Sequence, residues 1–198
     1  MNNFIYHNPT ELVFGKGQIA RLAKLIPADK RIMITFGGGS VKRNGVYEQV
    51  MPALEGREVV EFWGIEANPS VETLRRAIAL GKERRVDFLL AVGGGSVIDG
   101  TKLIAAGLLY EGDAWEIVLK GKAGKTVPLA TVLTMSATGS EMNNGAVIFA
   151  LRDEGEVRLL RGLSCLFDPR SRDALLPARA ADRLRTFPIP SYTCWSSI

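Results

Sequence analysis

One tetrapeptide occurs twice in this chain and constrains its fold more than any other feature: Gly37-Gly38-Gly39-Ser40 and Gly93-Gly94-Gly95-Ser96. Each copy follows an apolar run, Arg31 to Phe36 in one case and Val86 to Val92 in the other, and each precedes a segment with helical spacing. A glycine-rich turn from a buried strand into a helix presents free backbone N–H groups and the positive end of the helix dipole to an anion. Without Cβ atoms the main chain can approach a phosphate closely. Two such turns in one chain suggest two contacts on a single dinucleotide. Two plainer readings compete: tight strand-to-helix turns that bind nothing, and flexible linkers. Gly/Ser linkers are not normally framed by β-branched runs, which argues against linkers.

Strand and helix signals alternate along the chain. Phe4 to Tyr6 and Glu11 to Phe14 read as short strands around the turn residues Asn8-Pro9. Ile19, Leu22, Leu25 and Ile26 give Gly17 to Ile26 a helical spacing that stops at Pro27. A strand to Phe36, a helix from Val41 to Leu54 and a strand from Glu58 to Trp63 follow. Ser70 is the expected N-cap of a helix from Val71 to Arg85. Val86 to Val92 is apolar apart from Asp87, the pattern of a strand buried on both faces. Helices at Val97 to Leu109 and around Asp113 to Leu119 come next, then strands at Pro128 to Leu133 and Val147 to Leu151. This β-α-β-α order predicts an α/β fold, a Rossmann-like parallel sheet flanked by helices on both faces. Ligands of such sheets bind at the carboxyl ends of the strands, where both glycine runs would lie. That favours the dinucleotide over the empty turn.

Composition narrows the function classes. With 198 residues, 46% of them hydrophobic, the chain can bury a substantial core. The net charge of +4 is uneven. Arg75, Arg76, Lys82, Arg84 and Arg85 decorate one helix as a solvated face, and eight arginines lie between Arg152 and Arg185. Neither cluster has the interleaved aromatics or module signature of a nucleic-acid binder, so no nucleic-acid partner is expected. Cys165 and Cys194 form no metal or disulfide framework, the N-terminus lacks a signal-peptide pattern, and no apolar run approaches a membrane span. A cytoplasmic chain without a membrane partner is the expectation.

The usual Gly-x-Gly-x-x-Gly fingerprint is missing, and no P-loop ending is present. What stands instead is Gly93-Gly94-Gly95-Ser96-Val97-Ile98-Asp99-Gly100-Thr101-Lys102, with Thr134-Met135-Ser136-Ala137-Thr138-Gly139-Ser140-Glu141 further on. Together with Phe14-Gly15-Lys16-Gly17 and Asn68-Pro69, these motifs resemble the iron-containing (group III) alcohol dehydrogenases. The first Gly-Gly-Gly-Ser resembles their NADPH-dependent aldehyde reductase and butanol dehydrogenase branch. The resemblance runs from residue 1 to about residue 180, ending on Leu166-Phe167-Asp168-Pro169 and Leu175-Leu176-Pro177.

This resemblance implies an N-terminal α/β cofactor domain, here residues 1–180, followed in the family by a helical domain that holds a divalent metal, iron or zinc. It implies that Gly94, Gly95 and Ser96 bind the pyrophosphate through backbone and hydroxyl donors, and that Asp99 sits beside the nicotinamide end. It implies further that Thr134, Thr138 and Ser140 line the cofactor cleft and that Asn68 contacts the adenosine side. Ordinary turn chemistry is an equal alternative for the two threonines when the residues are read alone. The implied reaction is hydride transfer between NADPH and a small aldehyde, or the reverse from an alcohol, with room for a homodimer.

Cofactor choice has a physical argument. NAD-selective enzymes set a carboxylate against the ribose 2′-hydroxyl, which would repel a 2′-phosphate. Here Gly37, Gly38, Gly39 and Ser40 offer small neutral residues, with Lys42 and Arg43 immediately after. NADP(H) is therefore expected over NAD(H). Gly39 and Ser40 carry this expectation, since the two cations also read as solvated helix residues.

The chain departs from the family in three places. The family's metal site resembles one Asp with three His, and this chain has one histidine, His7, which reads as a turn or surface residue. No metal ligands are assigned, and no catalytic residue is named. Between Val147 and Phe167 a family lysine that contacts the cofactor is missing from a segment that reads as shortened, and Arg158 is not assigned its role. Residues 181–198 form an irregular tail without helical or strand periodicity. Reverse-translated and read from the third base, that tail allows an Asp-x-x-x-His-x-x-Glu-Gln-Tyr pattern like the family's. The expectation is a frameshift near Asp182 to Leu184 that truncates a full-length enzyme, to be checked against the gene's nucleotide sequence.

Two function classes follow: an NADP-dependent alcohol dehydrogenase or aldehyde reductase, and a dinucleotide-binding module that lacks catalysis. A sibling family with a similar cofactor domain, the glycerol dehydrogenases or dehydroquinate synthases, is disfavoured by Ala137-Thr138-Gly139-Ser140-Glu141.

Overall fold

The computed structural model describes residues 10–121, 124–151, 157–161 and 174–177. Its centre is a parallel sheet of β1 (Leu12–Gly15), β2 (Ile32–Phe36), β3 (Val59–Phe62), β4 (Phe88–Gly94), β5 (Leu129–Met135) and β8 (Ala174–Pro177), in the order β1-β8-β5-β4-β2-β3. Strands β6 (Val147–Leu151) and β7 (Val157–Arg161) form a separate antiparallel pair. The hairpin is tied to the main body where the Phe149 N–H donates to the Pro69 carbonyl.

Side chains alternate along the central strands and build a core on each face. Ile32, Ile34 and Phe36 of β2, with Phe88, Leu90 and Val92 of β4, pack in one buried cluster with Leu22, Ile26, Val41, Val50 and Leu54. These last belong to α1 (Leu22–Leu25), α2 (Ser40–Arg43), α3 (Tyr47–Ala53) and the residues that close them. Met33, Leu89, Ala91 and Leu133 point the other way, against Leu74, Ile78, Leu103, Ile104 and Ile117. Those residues come from α4 (Val71–Glu83), α5 (Gly95–Gly107) and α6 (Ala114–Lys120). The result is a three-layer α/β/α sandwich, the arrangement that buries a doubly apolar sheet. Helix α5 is buried from Val97 through Gly107, which is why its sequence is apolar on nearly every side.

Several boundaries differ from the periodicity. The expected helix from Gly17 to Ile26 is a 3-10 turn, Gln18–Arg21, running into α1. The expected helix from Val41 to Leu54 is two, because Gly45 takes φ +76° and the Asn44 side chain accepts from the Val46 N–H at 3.1 Å. Strand β4 begins at Phe88, since Asp87 turns aside to accept from the Arg31 N–H at 2.8 Å. It then continues through Gly93 and Gly94, so half of the second glycine run is strand and not loop. Strand β5 likewise extends to Met135 and takes in Thr134. Ser70 caps α4 as expected, accepting from the Thr73 N–H at 3.3 Å. Strands β7 and β8 are additions to the expected set. The expected strand at Phe4 to Tyr6, His7, both cysteines and the 181–198 tail lie outside the described residues. No helix among the described residues is long and apolar enough to cross a membrane.

Strand order positions the site. From β2 the chain leaves through α2 and α3 to β3 on one side, and from the adjacent β4 it leaves through α5 and α6 to β5 on the other. Connections that diverge from neighbouring strands open a crevice at their carboxyl ends.

Candidate functional site

Both glycine runs open into that crevice. Gly37, Gly38 and Gly39 turn the chain from β2 into α2, whose first residue is the exposed Ser40. Gly39 sits at φ +90°, a conformation that glycine adopts without strain. Gly94 and Gly95 turn β4 into α5, and no side chain caps this thirteen-residue helix. Its first N–H groups and its dipole are therefore available to an anion.

The space around the glycines carries the same message. A Cβ built on Gly38 would meet no atom within 4 Å, and one on Gly94 would make only an ordinary contact, 3.7 Å from Met135 Cε. Neither has a positive φ. Nothing in the fold itself demands glycine at these two positions, whereas a phosphate approaching the main chain would. Gly95 is different: a Cβ there would lie 2.7 Å from Thr138 Oγ1 and 3.1 Å from Ser140 Oγ. The 138–140 loop thus closes directly over the start of α5.

That loop and α5 frame an open cleft of about 390 Å³ lined by Asp99, Thr138, Ser140, Asn143, Gly145 and Val147, among others. Thr138 and Ser140 share a hydrogen bond of 2.8 Å. Asp99 Oδ2 accepts from the Val147 N–H at 3.0 Å, while Oδ1 is buried with Lys102 Nζ 3.7 Å away and no hydrogen-bond partner among the described residues. Burial pushes the Asp99 carboxyl above its ordinary range, against the Val147 N–H and the Lys102 ammonium, which pull it down. Burial also pulls the Lys102 ammonium down to about 8, against the attraction of Asp99 and Glu141.

Of the twelve residues singled out in the sequence, Asp99, Thr138 and Ser140 come together around this cleft, and Gly95, at the start of α5, lies against Thr138 and Ser140. Ser96 departs from its expected role in one respect. Its hydroxyl donates to the Ala67 carbonyl, so its proton is committed and an anion here would be met by backbone N–H groups. The same bond brings the exposed Asn68 beside the second glycine turn. Gly37 to Ser40 lie one strand over. Thr134 stays apart from the cleft: the β4–β5 ladder pairs Gly93 with Leu133 and Gly94 with Met135, passing over it. This irregularity at the sheet's carboxyl edge is of the kind that re-aims strands beside functional sites.

The surroundings of the first glycine run include an aromatic cluster. Trp63 stacks on Phe36 with ring centroids 4.0 Å apart, and Tyr47 tilts against both at 5.8 Å. Glu61 accepts from Tyr47 Oη at 2.9 Å and from Trp63 Nε1 at 2.7 Å. The Lys42 ammonium lies 4.3 Å from the Trp63 ring centroid and 5.2 Å from that of Tyr47. Lys42 is thus more than a solvated helix residue, because a cation–π contact holds its charge over the Trp63 ring.

Sequence reading missed Asn143, Gly145, Val147 and Lys102. The Asn-Asn-Gly turn was a legible signal for the first two. A lysine on an otherwise apolar helix, three residues after Asp99, was a signal for the last.

A scan against protein-family models matches residues 9–162 to the iron-containing alcohol dehydrogenase model. The NADPH-dependent aldehyde reductase YqhD of Escherichia coli is 55% identical over 152 residues, 75% of this chain and 39% of that protein. The probable NADH-dependent butanol dehydrogenase 1 of Bacillus subtilis is 54% identical over the same length, again 75% of this chain and 39% of the relative. The crystal structure of E. coli YqhD superposes with a TM-score of 0.80 and 45% identity, covering 94% of this chain and 47% of that one. The chain therefore spans about two-fifths of the length of these relatives.

Proposed function

The chain belongs to the iron-containing alcohol dehydrogenase family, and from that premise we propose that residues 1–180 are the dinucleotide-binding domain of an NADP(H)-dependent aldehyde reductase or alcohol dehydrogenase. The observation that carries this reading is the pair of glycine turns at the carboxyl ends of the adjacent strands β2 and β4, each with a position open to a ligand. In this reading Gly94, Gly95 and Ser96 hold the pyrophosphate on the α5 N-terminus. Asp99, Thr138 and Ser140 border the nicotinamide end, and Asn68 borders the adenosine.

The two named relatives divide between NADPH and NADH, so family membership leaves cofactor choice open. We assign NADP(H) on local grounds. Gly37, Gly38, Gly39 and Ser40 supply no carboxylate to repel a 2′-phosphate, and the Lys42 charge is held over the Trp63 ring. The residues present fit such a cofactor. When bound, it would supply the hydride for a small aldehyde, or accept one from an alcohol.

The family's metal is another matter. Among the described residues no three His, Cys, Asp or Glu side chains converge, and the whole chain has one histidine. These residues do not fit a divalent-metal site, and no step is assigned to one. The single histidine favours a second reading, a module that holds the dinucleotide without turning it over.

Titrating the purified chain with NADPH and NADH, followed by cofactor fluorescence, tests the binding assignment. NADPH bound more tightly is the expected result. Equal affinity for NADH removes the NADP(H) assignment, and binding of neither removes the dinucleotide reading. Assaying aldehyde reduction with added Fe²⁺ or Zn²⁺ then separates the enzyme from the module.

A further inference from the structure

Lys102 is fully buried, although a lysine ammonium is among the most costly groups to take out of water. Three interactions surround it. Its Nζ donates to the Gly145 carbonyl at 2.6 Å and to Asn143 Oδ1 at 3.1 Å, and it lies 3.7 Å from Asp99 Oδ1. The acceptors sit more than forty residues away in sequence, on the turn that forms one wall of the cleft. Asn143 organises that turn, accepting also from the Gly145 N–H at 2.9 Å and donating through Nδ2 to the Gly139 carbonyl at 2.9 Å. Asp99 holds the next residues along by accepting from the Val147 N–H. The i, i+3 pair Asp99 and Lys102 therefore grips both ends of the 143–147 segment and fixes it to α5. Lys102 does not itself line the cleft.

Resting on the dinucleotide reading above, we infer that Lys102 is the positioning residue of the nicotinamide end of the cleft: from behind Asp99 it fixes the 143–145 turn and orients the Asp99 carboxylate that borders the bound ring. The charges acting on its ammonium are Asp99 on its own helix and Glu141 on the Ser140–Met142 turn. A lysine that only filled space in the core would affect both ends of a bound dinucleotide alike. A positioning lysine acts on the nicotinamide end alone.

The test compares the full chain with Lys102→Met and Asn143→Ala, titrating each with NADPH and with adenosine 2′,5′-bisphosphate, a probe that lacks the nicotinamide half. For Lys102→Met the NADPH dissociation constant should rise roughly tenfold, the worth of one charged buried hydrogen bond, while the bisphosphate holds within about twofold. Asn143→Ala removes an exposed side chain that accepts from Lys102 and Gly145 and donates to Gly139, and should give the same selectivity at about threefold; it carries the test if Lys102→Met does not fold. In the wild-type chain NADPH affinity should fall as pH passes about 8, where Lys102 loses its proton, and Lys102→Met should lack that step. Equal weakening of both ligands, or unchanged NADPH binding, overturns the inference. A wild-type chain that binds neither ligand overturns the dinucleotide reading and the inference with it, whereas binding of both without selective loss removes the inference alone.

Discussion

Gly37, just past the end of β2, and Gly93, within the adjacent strand β4, face the same methyl group: a Cβ on either would meet Cγ2 of Val97, at 3.4 Å and 2.6 Å respectively. The two glycine runs are thus brought to one place by one side chain on α5, two residues into the helix whose N-terminus they flank. Gly93 is the less tolerant of the two, since its Cβ would also lie 2.8 Å from Val97 Cβ. Val97 is β-branched and holds essentially one rotamer in a helix, so it cannot turn away. Gly93→Ala should cost about 1–3 kcal/mol of stability and weaken NADPH binding by displacing the start of α5. Adding Val97→Ala should recover much of both. Urea unfolding and NADPH titration of the single and double variants check this, and strictly additive losses would show that the two residues do not act through one contact.

Ser40 tests cofactor choice without disturbing the fold. It is exposed at the start of α2, and its side chain caps nothing there. Ser40→Asp sets a carboxylate where the 2′-phosphate is proposed to lie. NADPH should bind roughly tenfold more weakly or worse, while NADH holds within about twofold. Parallel titrations with both cofactors decide it. Equal effects on the two would move the 2′-phosphate away from this turn.

What the sequence disclosed and what it hid divide along a physical line. Strands β2 and β4 and helix α4 were legible because burial on one or both faces writes a local period into the residues themselves. The break between α2 and α3 was written locally too, in Asn44-Gly45, but the apolar spacing of Val41, Val46, Val50 and Leu54 masked it. The extension of β4 into Gly93 and Gly94 ran against glycine's poor strand propensity and follows from pairing with β5. For the site, the glycine turns and Asp99 were readable by type and spacing. The commitment of the Ser96 hydroxyl to Ala67, and of Lys102 to Asn143 and Gly145, depends on partners distant in sequence, which no local pattern records.

Asp113 joins two helices and should repay removal with a measurable loss. Its carboxylate caps α6 by accepting from the Trp115 N–H at 2.9 Å, and it receives both Arg75 Nε at 2.8 Å and Arg75 Nη2 at 2.7 Å from α4. Asp113→Ala should cost about 1–2 kcal/mol, most of it from the cap, because the ion pair is exposed and screened by salt. Asp113→Asn keeps the cap and should cost less than about 1 kcal/mol. The Arg75 hydrogen bonds hold the Asp113 carboxyl below its ordinary value. Its contribution is therefore present above the ordinary carboxylate range and lost as pH falls through the lower folded value. Denaturant midpoints at neutral and acid pH should show the wild-type chain converging on Asp113→Asn in acid, with Asp113→Ala staying below both for want of the cap. A constant gap between the wild-type chain and Asp113→Asn at every pH would exclude the charge as its source.

Lys102 gives the fold a pH dependence of the opposite sense. Its folded value of about 8 lies below the ordinary 10.5, so the folded chain releases this proton first on the way up in pH. Between those values the unfolded chain holds more protons, and stability rises with pH across the window. Below about 8 the buried charge costs its full amount, on the order of 3 kcal/mol. Lys102→Met should remove the rise, whatever it does to absolute stability. Urea unfolding of both proteins at about pH 7.5 and about pH 9.5 reads the effect, with the wild-type chain expected to gain roughly 1–2 kcal/mol on the variant over that interval. Parallel shifts would mean that the ammonium is solvated in the folded chain. The same proton is also expected to support NADPH, so across this interval the fold should strengthen while its grip on the cofactor weakens. That divergence is available only to a charge that the fold pays to bury and the site puts to use.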